Sequence, residues 1–299
     1  MQPLWHPRFW PTWFGFGLLY LWQLLPWRWS MWLGARLGGL LRRVLKSRVK
    51  ITRRNLELCF PELDAAARET MLRGSFASAG CMVPEAGLAW YGSAARIARL
   101  STLSGTEHLD EALEAGQGVL LLAAHFTTLE IVGRIVCQHH RESKGVLYRE
   151  HRNAAMEYLV RRGRGGYSGA CFNRQQSRGA VRHLRKGGLL WYAPDQDYER
   201  GQSVFAPFFG LQASTSVSAH QLATMGRARV LTLRQRRHKN GYEVVLEPAL
   251  AGVPSDDALA DMTRINAEME RIIRECPEQY MWLHRRFKNR PPGEASIYD

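Results

Sequence analysis

His125 and Glu130, in the stretch Gly118-Val-Leu-Leu-Leu-Ala-Ala-His125-Phe-Thr-Thr-Leu-Glu130, are the residues of this chain best suited by type and spacing to chemistry. A neutral imidazole takes the proton from a substrate hydroxyl as that oxygen attacks an acyl carbon. A nearby carboxylate fixes the tautomer and stabilises the imidazolium that forms. Backbone N–H groups at the start of a following helix are placed to receive developing negative charge. The same residues have a purely structural use, because Thr127-x-x-Glu130 is a capping box in which the glutamate reaches back to a helix N-terminus.

The elements around the pair decide where it stands. Val119 to Leu122 is a short, continuously apolar run behind a glycine, which predicts a strand buried on both faces of a parallel or mixed sheet. Thr127 and Thr128 are N-cap residues, and Leu129, Ile131, Val132, Ile135 and Val136 have the spacing of a helix face. His125 therefore sits where a strand hands over to a helix, and open α/β sheets bind ligands beyond the carboxyl ends of their strands.

Further strands are expected at Gly145 to Tyr148 and at Leu189 to Ala193, the latter delivering Pro194-Asp195-Gln196-Asp197 to the sheet edge. Val230 to Leu233 and Tyr242 to Leu246 predict a strand pair around the turn Lys239-Asn240-Gly241. Helices are expected from Asp64 to about Ala79, Glu107 to Ala115, Asn153 to Arg164, Ser177 to Lys186, Val217 to Gly226 and Asp256 to Glu275. Phe205 to Gly210 reads as an aromatic loop.

The 299 residues suffice for one large core, and the formal charge of +14 calls for an acidic partner: nucleic acid, an anionic membrane, a phosphorylated substrate or an acidic carrier protein. The five cysteines show no metal-ligand spacing, so neither a disulfide nor a structural zinc is predicted.

Phe9 to Trp27 holds no charged residue and has tryptophans crowding both ends. It predicts an N-terminal hydrophobic membrane anchor within residues 1–30, either spanning the bilayer or lying in its interface, ahead of a functional domain at 31–299. From Arg28 to Arg54 there are nine basic residues and no acidic one, which marks a cytoplasmic side and would hold the body against anionic lipid.

Several segments, taken together and in order, resemble the late acyltransferases of lipid A biosynthesis. They are Arg53-Arg-Asn-Leu-Glu-Leu-Cys-Phe-Pro61, Ala124-His-Phe-Thr-Thr-Leu-Glu130, Tyr148-Arg149 with Asn153, Arg162-Gly-Arg164-Gly and Leu184-Arg-Lys-Gly-Gly188. Pro194-Asp-Gln-Asp197, Phe205-Ala-Pro-Phe-Phe-Gly210 with Ala213-Ser-Thr215, and Gln279-Tyr-Met-Trp-Leu-His-Arg-Arg-Phe-Lys288 follow. Glycine often precedes the motif histidine in this family, where Ala124 stands here, and proline often follows the matched asparagine, where Ala154 stands here.

The resemblance implies an α/β fold with a mixed, mostly parallel sheet flanked by helices, similar to the glycerol-phosphate acyltransferases, tethered to the cytoplasmic face of an inner membrane. It implies transfer of a lauroyl or similar chain from acyl carrier protein to a hydroxyl of a Kdo-bearing lipid IVA precursor, by a monomer needing no cofactor or metal and no nucleic acid. His125 would be the general base and Glu130 its orienting carboxylate. Arg149, Arg164, Asp195, Thr127 and Thr128 would bind substrate, the arginines through phosphate or the charge forming at the carbonyl. An aspartate-capped turn is the alternative for Asp195. Two alternatives for the whole chain stand beside this: a same-fold acyltransferase acting on a lysophospholipid or amino-acid lipid, and a non-catalytic basic membrane protein using Arg234-Gln-Arg-Arg-His-Lys239 as a contact patch.

Overall fold

The computed structural model describes residues 3–139, 144–148, 150–197 and 203–298. Four helices come first: α1 (Trp10–Trp22), α2 (Trp27–Val44), α3 (Lys46–Cys59) and α4 (Ala65–Tyr91), followed by the short α5 (Ala94–Arg99). Strands and helices then alternate. β1 (Ser101–Ser104), α6 (Thr106–Glu114), β2 (Val119–Leu122), α7 (Leu129–His139), β3 (Lys144–Leu147), α8 (Ala154–Ser168) and β4 (Ala170–Phe172) lead to α9 (Ser177–Arg185) and β5 (Leu189–Tyr192). A hairpin of β6 (Ser203–Phe208) and β7 (Leu211–Ser216) precedes α10 (Ser218–Gly226), β8 (Arg229–His238), β9 (Gly241–Leu246) and α11 (Ala258–Glu275).

The main sheet has the order β1-β9-β8-β2-β5-β3-β4, and every neighbouring pair runs parallel except β8 with β9. The mixed, mostly parallel sheet is the one expected. β2 lies in the middle, and all four of its residues are fully buried. Leu120 and Leu122 enter the core shared with α3, α4, α9, α10 and α11, whereas Val119 and Leu121 enter the opposite core with α6 and α7. A strand covered on both faces has no polar side to alternate with, which is why it reads as an unbroken apolar run.

Three local expectations are corrected. The aromatic segment Phe205 to Gly210 is half of an antiparallel hairpin rather than a loop. The helix expected to end near Ala79 continues to Tyr91, through Pro84. Close packing supports it: α2 crosses α4 so tightly that a Cβ on Gly38 would stand 1.9 Å from the Phe76 carbonyl oxygen and one on Gly80 would stand 2.1 Å from that of Gly34. Finally, α1 is a 13-residue helix that ends before Pro26. At 1.5 Å per residue it covers about 20 Å, short of the roughly 30 Å hydrocarbon layer, and no described helix is long and apolar enough to cross a membrane. The spanning version of the expected anchor is therefore not supported.

Candidate active site

β2 and β5 lie side by side and parallel, with Leu122 opposite Tyr192. His125 and Asp195 each follow those strand ends by three residues, so the parallel register alone brings them together at the carboxyl edge of the sheet. Asp195 Oδ1 lies 2.5 Å from His125 Nδ1, and Oδ2 accepts from the His125 backbone N–H at 2.8 Å. The Tyr280 hydroxyl also bonds this carboxylate. Asp195 is wholly buried, whereas the His125 side chain is 21% exposed. Burial works to raise the Asp195 pKa, but the His125 charge and the hydrogen bonds from His125 and Tyr280 outweigh it and hold the carboxyl below its ordinary value. The result is an imidazole fixed at Nδ1 by an ionised carboxylate. Its Nε2 makes no hydrogen bond to protein among the described residues.

Asp195 thus occupies the place expected of Glu130. The Glu130 carboxylate faces away from the imidazole and is filled by other donors. Arg164 Nε lies 3.1 and 3.2 Å from its two oxygens and Arg164 Nη2 adds a further bond, while Trp90 Nε1 donates at 3.0 Å and the Tyr167 hydroxyl at 3.4 Å. Burial raises the Glu130 pKa, yet the Arg164 charge and these bonds bring it below the ordinary value. The physical reason is direction: Glu130 is in the first turn of α7, and its side chain meets α8 and α4, while the β5 turn approaches the histidine from the other side. Arg164 is correspondingly neutralised by Glu130 and stacked on the Tyr148 ring at 5.9 Å, so it is not a free cation for a phosphate.

The capping-box alternative for Thr127 and Glu130 is not formed either. Thr127 N–H donates to the Gln279 carbonyl at 2.8 Å, and the Thr127 hydroxyl sits between Ser78 Oγ at 2.7 Å and Arg237 Nη2 at 2.9 Å. Thr127 and Thr128, expected to bind substrate, are both buried, and among the described residues the Thr128 hydroxyl has no hydrogen-bond partner. Of the N–H groups leading into α7, those of Phe126, Thr127 and Leu129 donate to protein carbonyls. Arg149 lies outside the described residues. Asn153 is the N-cap of α8, accepting from Met156 N and donating to Thr12 Oγ1 at 3.0 Å.

Two contributors were given no part in the site by the sequence. Arg237 belongs to the basic run Arg234 to Lys239 and is buried against Glu85, with Nε 2.6 Å from Oε1; Arg234 pairs with Glu247 and Glu275. Those pairs neutralise two of the cations in the contact patch that the non-catalytic alternative required, while Arg236 and Lys239 stay exposed. The second is the segment after α11. Tyr280 bridges to Phe126 in antiparallel fashion, and Met281 N–H donates to the His125 carbonyl at 3.0 Å. Its signal in the sequence was the aromatic and basic stretch Gln279 to Lys288, which entered the family resemblance without a role attached to any of its residues.

Comparison with known proteins gives the family. Residues 2–289 match the family described as bacterial lipid A biosynthesis acyltransferase. The lipid A biosynthesis palmitoleoyltransferase of Escherichia coli K12 is 40% identical over 300 residues, covering 98% of this chain and 96% of the relative. The lauroyltransferase of the same organism is 40% identical over 297 residues with the same coverage, and its myristoyltransferase is 28% identical over 300 residues, covering 98% and 91%.

Proposed function

We propose, from the premise that this chain belongs to the bacterial lipid A biosynthesis acyltransferase family, that it transfers a fatty acyl chain, lauroyl or of similar length, from the thioester of acyl carrier protein to a hydroxyl of Kdo-lipid IVA. His125 Nε2 takes the acceptor proton as the hydroxyl oxygen attacks the thioester carbonyl. A C–O bond forms, the tetrahedral intermediate collapses with cleavage of the C–S bond, and the imidazolium returns the proton to the departing thiolate. Asp195 receives the Nδ1 hydrogen, orients the ring and stabilises its charged form. Glu130 and Arg164 brace α7 against α8 and α4 behind the histidine. The observation that carries this reading is the bond between Asp195 and His125 Nδ1 at the sheet's carboxyl edge, with Nε2 left without a protein partner among the described residues.

The test is acyl transfer by the purified protein, offered lauroyl- and palmitoleoyl-acyl carrier protein with Kdo-lipid IVA. His125→Ala is expected to lower kcat by about 10²–10⁴-fold, the usual worth of a general base; unchanged transfer removes the mechanism. Mass spectrometry of lipid A from cells with and without the gene then decides the acceptor. A missing secondary acyl chain supports it, whereas unaltered lipid A assigns the enzyme another acceptor.

The N-terminal helices support a membrane-bound setting on the cytoplasmic face of an inner membrane, with the chain lying in the interface. Trp10, Phe14, Leu18 and Leu21 of α1, and Trp29 and Trp32 of α2, are exposed. Arginines 28, 36, 42 and 43 share α2 with those tryptophans. Apolar side chains beside cations are what an interfacial helix needs for anionic lipid. α1 is linked to the helix that follows His125: Phe16 stacks on Trp90 at 5.5 Å, and Trp90 bonds Glu130 in the first turn of α7. The excess of positive charge also favours docking an acidic carrier protein.

A further inference from the structure

The turn that carries Asp195 is gripped two residues later by the segment after α11. Asp197 N–H donates to His284 Nε2 at 3.1 Å, while the Asp197 carboxylate accepts from Asn289 N at 3.2 Å and from Asn289 Nδ2 at 2.7 Å. The same segment holds the other half of the dyad, through Met281 N–H on the His125 carbonyl and the Gln279 carbonyl on Thr127 N–H. His284 is itself fixed. Its carbonyl accepts from Asn55 Nδ2 at 2.8 Å, Asn55 Nδ2 also reaches the Trp282 carbonyl at 2.7 Å, and Asn55 Oδ1 receives the Tyr298 hydroxyl. The motif residue Asn55, wholly buried in α3, thus clamps the backbone from which His284 projects.

From this geometry we infer that His284 is a positioning residue for the acyl transfer: its Nε2, as hydrogen-bond acceptor for Asp197 N–H, sets the Asp195–Asp197 turn and so the distance from Asp195 to His125. The inference rests on the reading of His125 and Asp195 given above. Accepting at Nε2 requires a neutral ring with its proton on Nδ1. The surroundings enforce that state. Burial, His125, Arg286 and Arg48 all disfavour a second cation, Asp195 alone opposes them, and the His284 pKa falls to about 4. Asp197 also faces Arg286 and Lys288. At working pH the imidazole therefore remains an acceptor.

The test compares His284→Leu, which removes the acceptor, with His284→Gln, whose side-chain oxygen reaches the position of Nε2. Misplacing a reacting group by about 1 Å costs on the order of 10²-fold. His284→Leu is therefore expected to lose roughly 10–100-fold in kcat with KM changed by less than about 3-fold, and His284→Gln to recover most of that loss. An unchanged kcat in His284→Leu, or a His284→Gln protein as impaired as His284→Leu, overturns the inference. Should His284→Leu fail to fold, Asn289→Ala decides it. Removing the second grip on Asp197 lowers kcat at constant KM if the turn needs holding, and wild-type kcat refutes it. Wild-type enzyme and His125→Ala run alongside keep the two readings apart. A wild type without transferase activity sinks the proposed reaction, whereas an active wild type with an equally active His284→Leu sinks only the role of His284.

Discussion

At the scale of single residues, the two carboxylates near His125 do different jobs, and their variants should separate. Asp195→Asn keeps the size of the side chain but no longer offers two carboxylate oxygens to His125 N–H and Nδ1–H. It is expected to lower kcat by about 10⁴-fold, as when a catalytic histidine loses its orienting aspartate, with the fold intact by circular dichroism. Glu130→Gln leaves Arg164 without its counter-charge. The expected loss is about 2–3 kcal/mol of stability, at the low end for a broken buried pair because roughly a fifth of each side chain is exposed; thermal unfolding reads it. A pH dependence follows from the same groups. Asp195 and Glu130 both have folded-state pKa values below their ordinary ones. Their stabilisation is complete above about pH 5, where the unfolded chain's carboxyls are largely ionised, and is lost progressively as acid protonates first the unfolded and then the folded carboxyls. Urea midpoints measured from pH 7 downward should therefore fall steeply below about 4 in the wild type and less steeply in Glu130→Gln. Parallel slopes would show that Glu130 gains nothing from Arg164.

At the scale of elements, the site depends on contacts between parts far apart in the chain. β2 and β5 supply the two halves of the dyad through their common register, and the segment after α11 ties both halves from outside the sheet. α1 joins the body through aromatic contacts such as Phe16 on Trp90, whereas α2 meets α4 by close backbone packing at glycines. Gly38 has the carbonyl of Phe76 where its Cβ would be. Gly38→Ala must separate α2 from α4 and is expected to cost about 2–3 kcal/mol, as overpacking does. An unfolding midpoint equal to wild type would show that the two helices move apart freely.

At the scale of the whole molecule, a mixed sheet with helices on both faces carries its site at its carboxyl edge, and α1 and α2 expose apolar and basic side chains. Under the proposed function these exposed side chains hold the protein on the bilayer that carries the acceptor lipid. Flotation with vesicles containing anionic lipid measures this. The wild type should float, replacement of Phe14, Leu18 and Leu21 by serine should abolish flotation, and raised salt should weaken it through the arginines of α2. A triple variant that floats like wild type would place the lipid contact elsewhere.

Much of the architecture was legible in the residues because its determinants are local. A strand buried on both faces must be an apolar run, a hairpin turn wants Asn-Gly, and a strand followed by a helix puts His125 at a sheet edge; β2, the pairing of β8 with β9, and α7 all follow from such rules. Other features had no local signature. The β6–β7 hairpin is stabilised by what it packs on, and Pro84 stands inside α4 where propensity alone would end a helix. The partner of His125 was least legible of all. Sequence proximity favoured Glu130, five positions away, whereas side-chain direction and parallel register delivered Asp195 from seventy positions away. Composition and pattern are enough to say which groups are available for chemistry. Which carboxylate meets the imidazole is a matter of distances of a few ångströms between remote segments, and those exist only once the sheet has assembled.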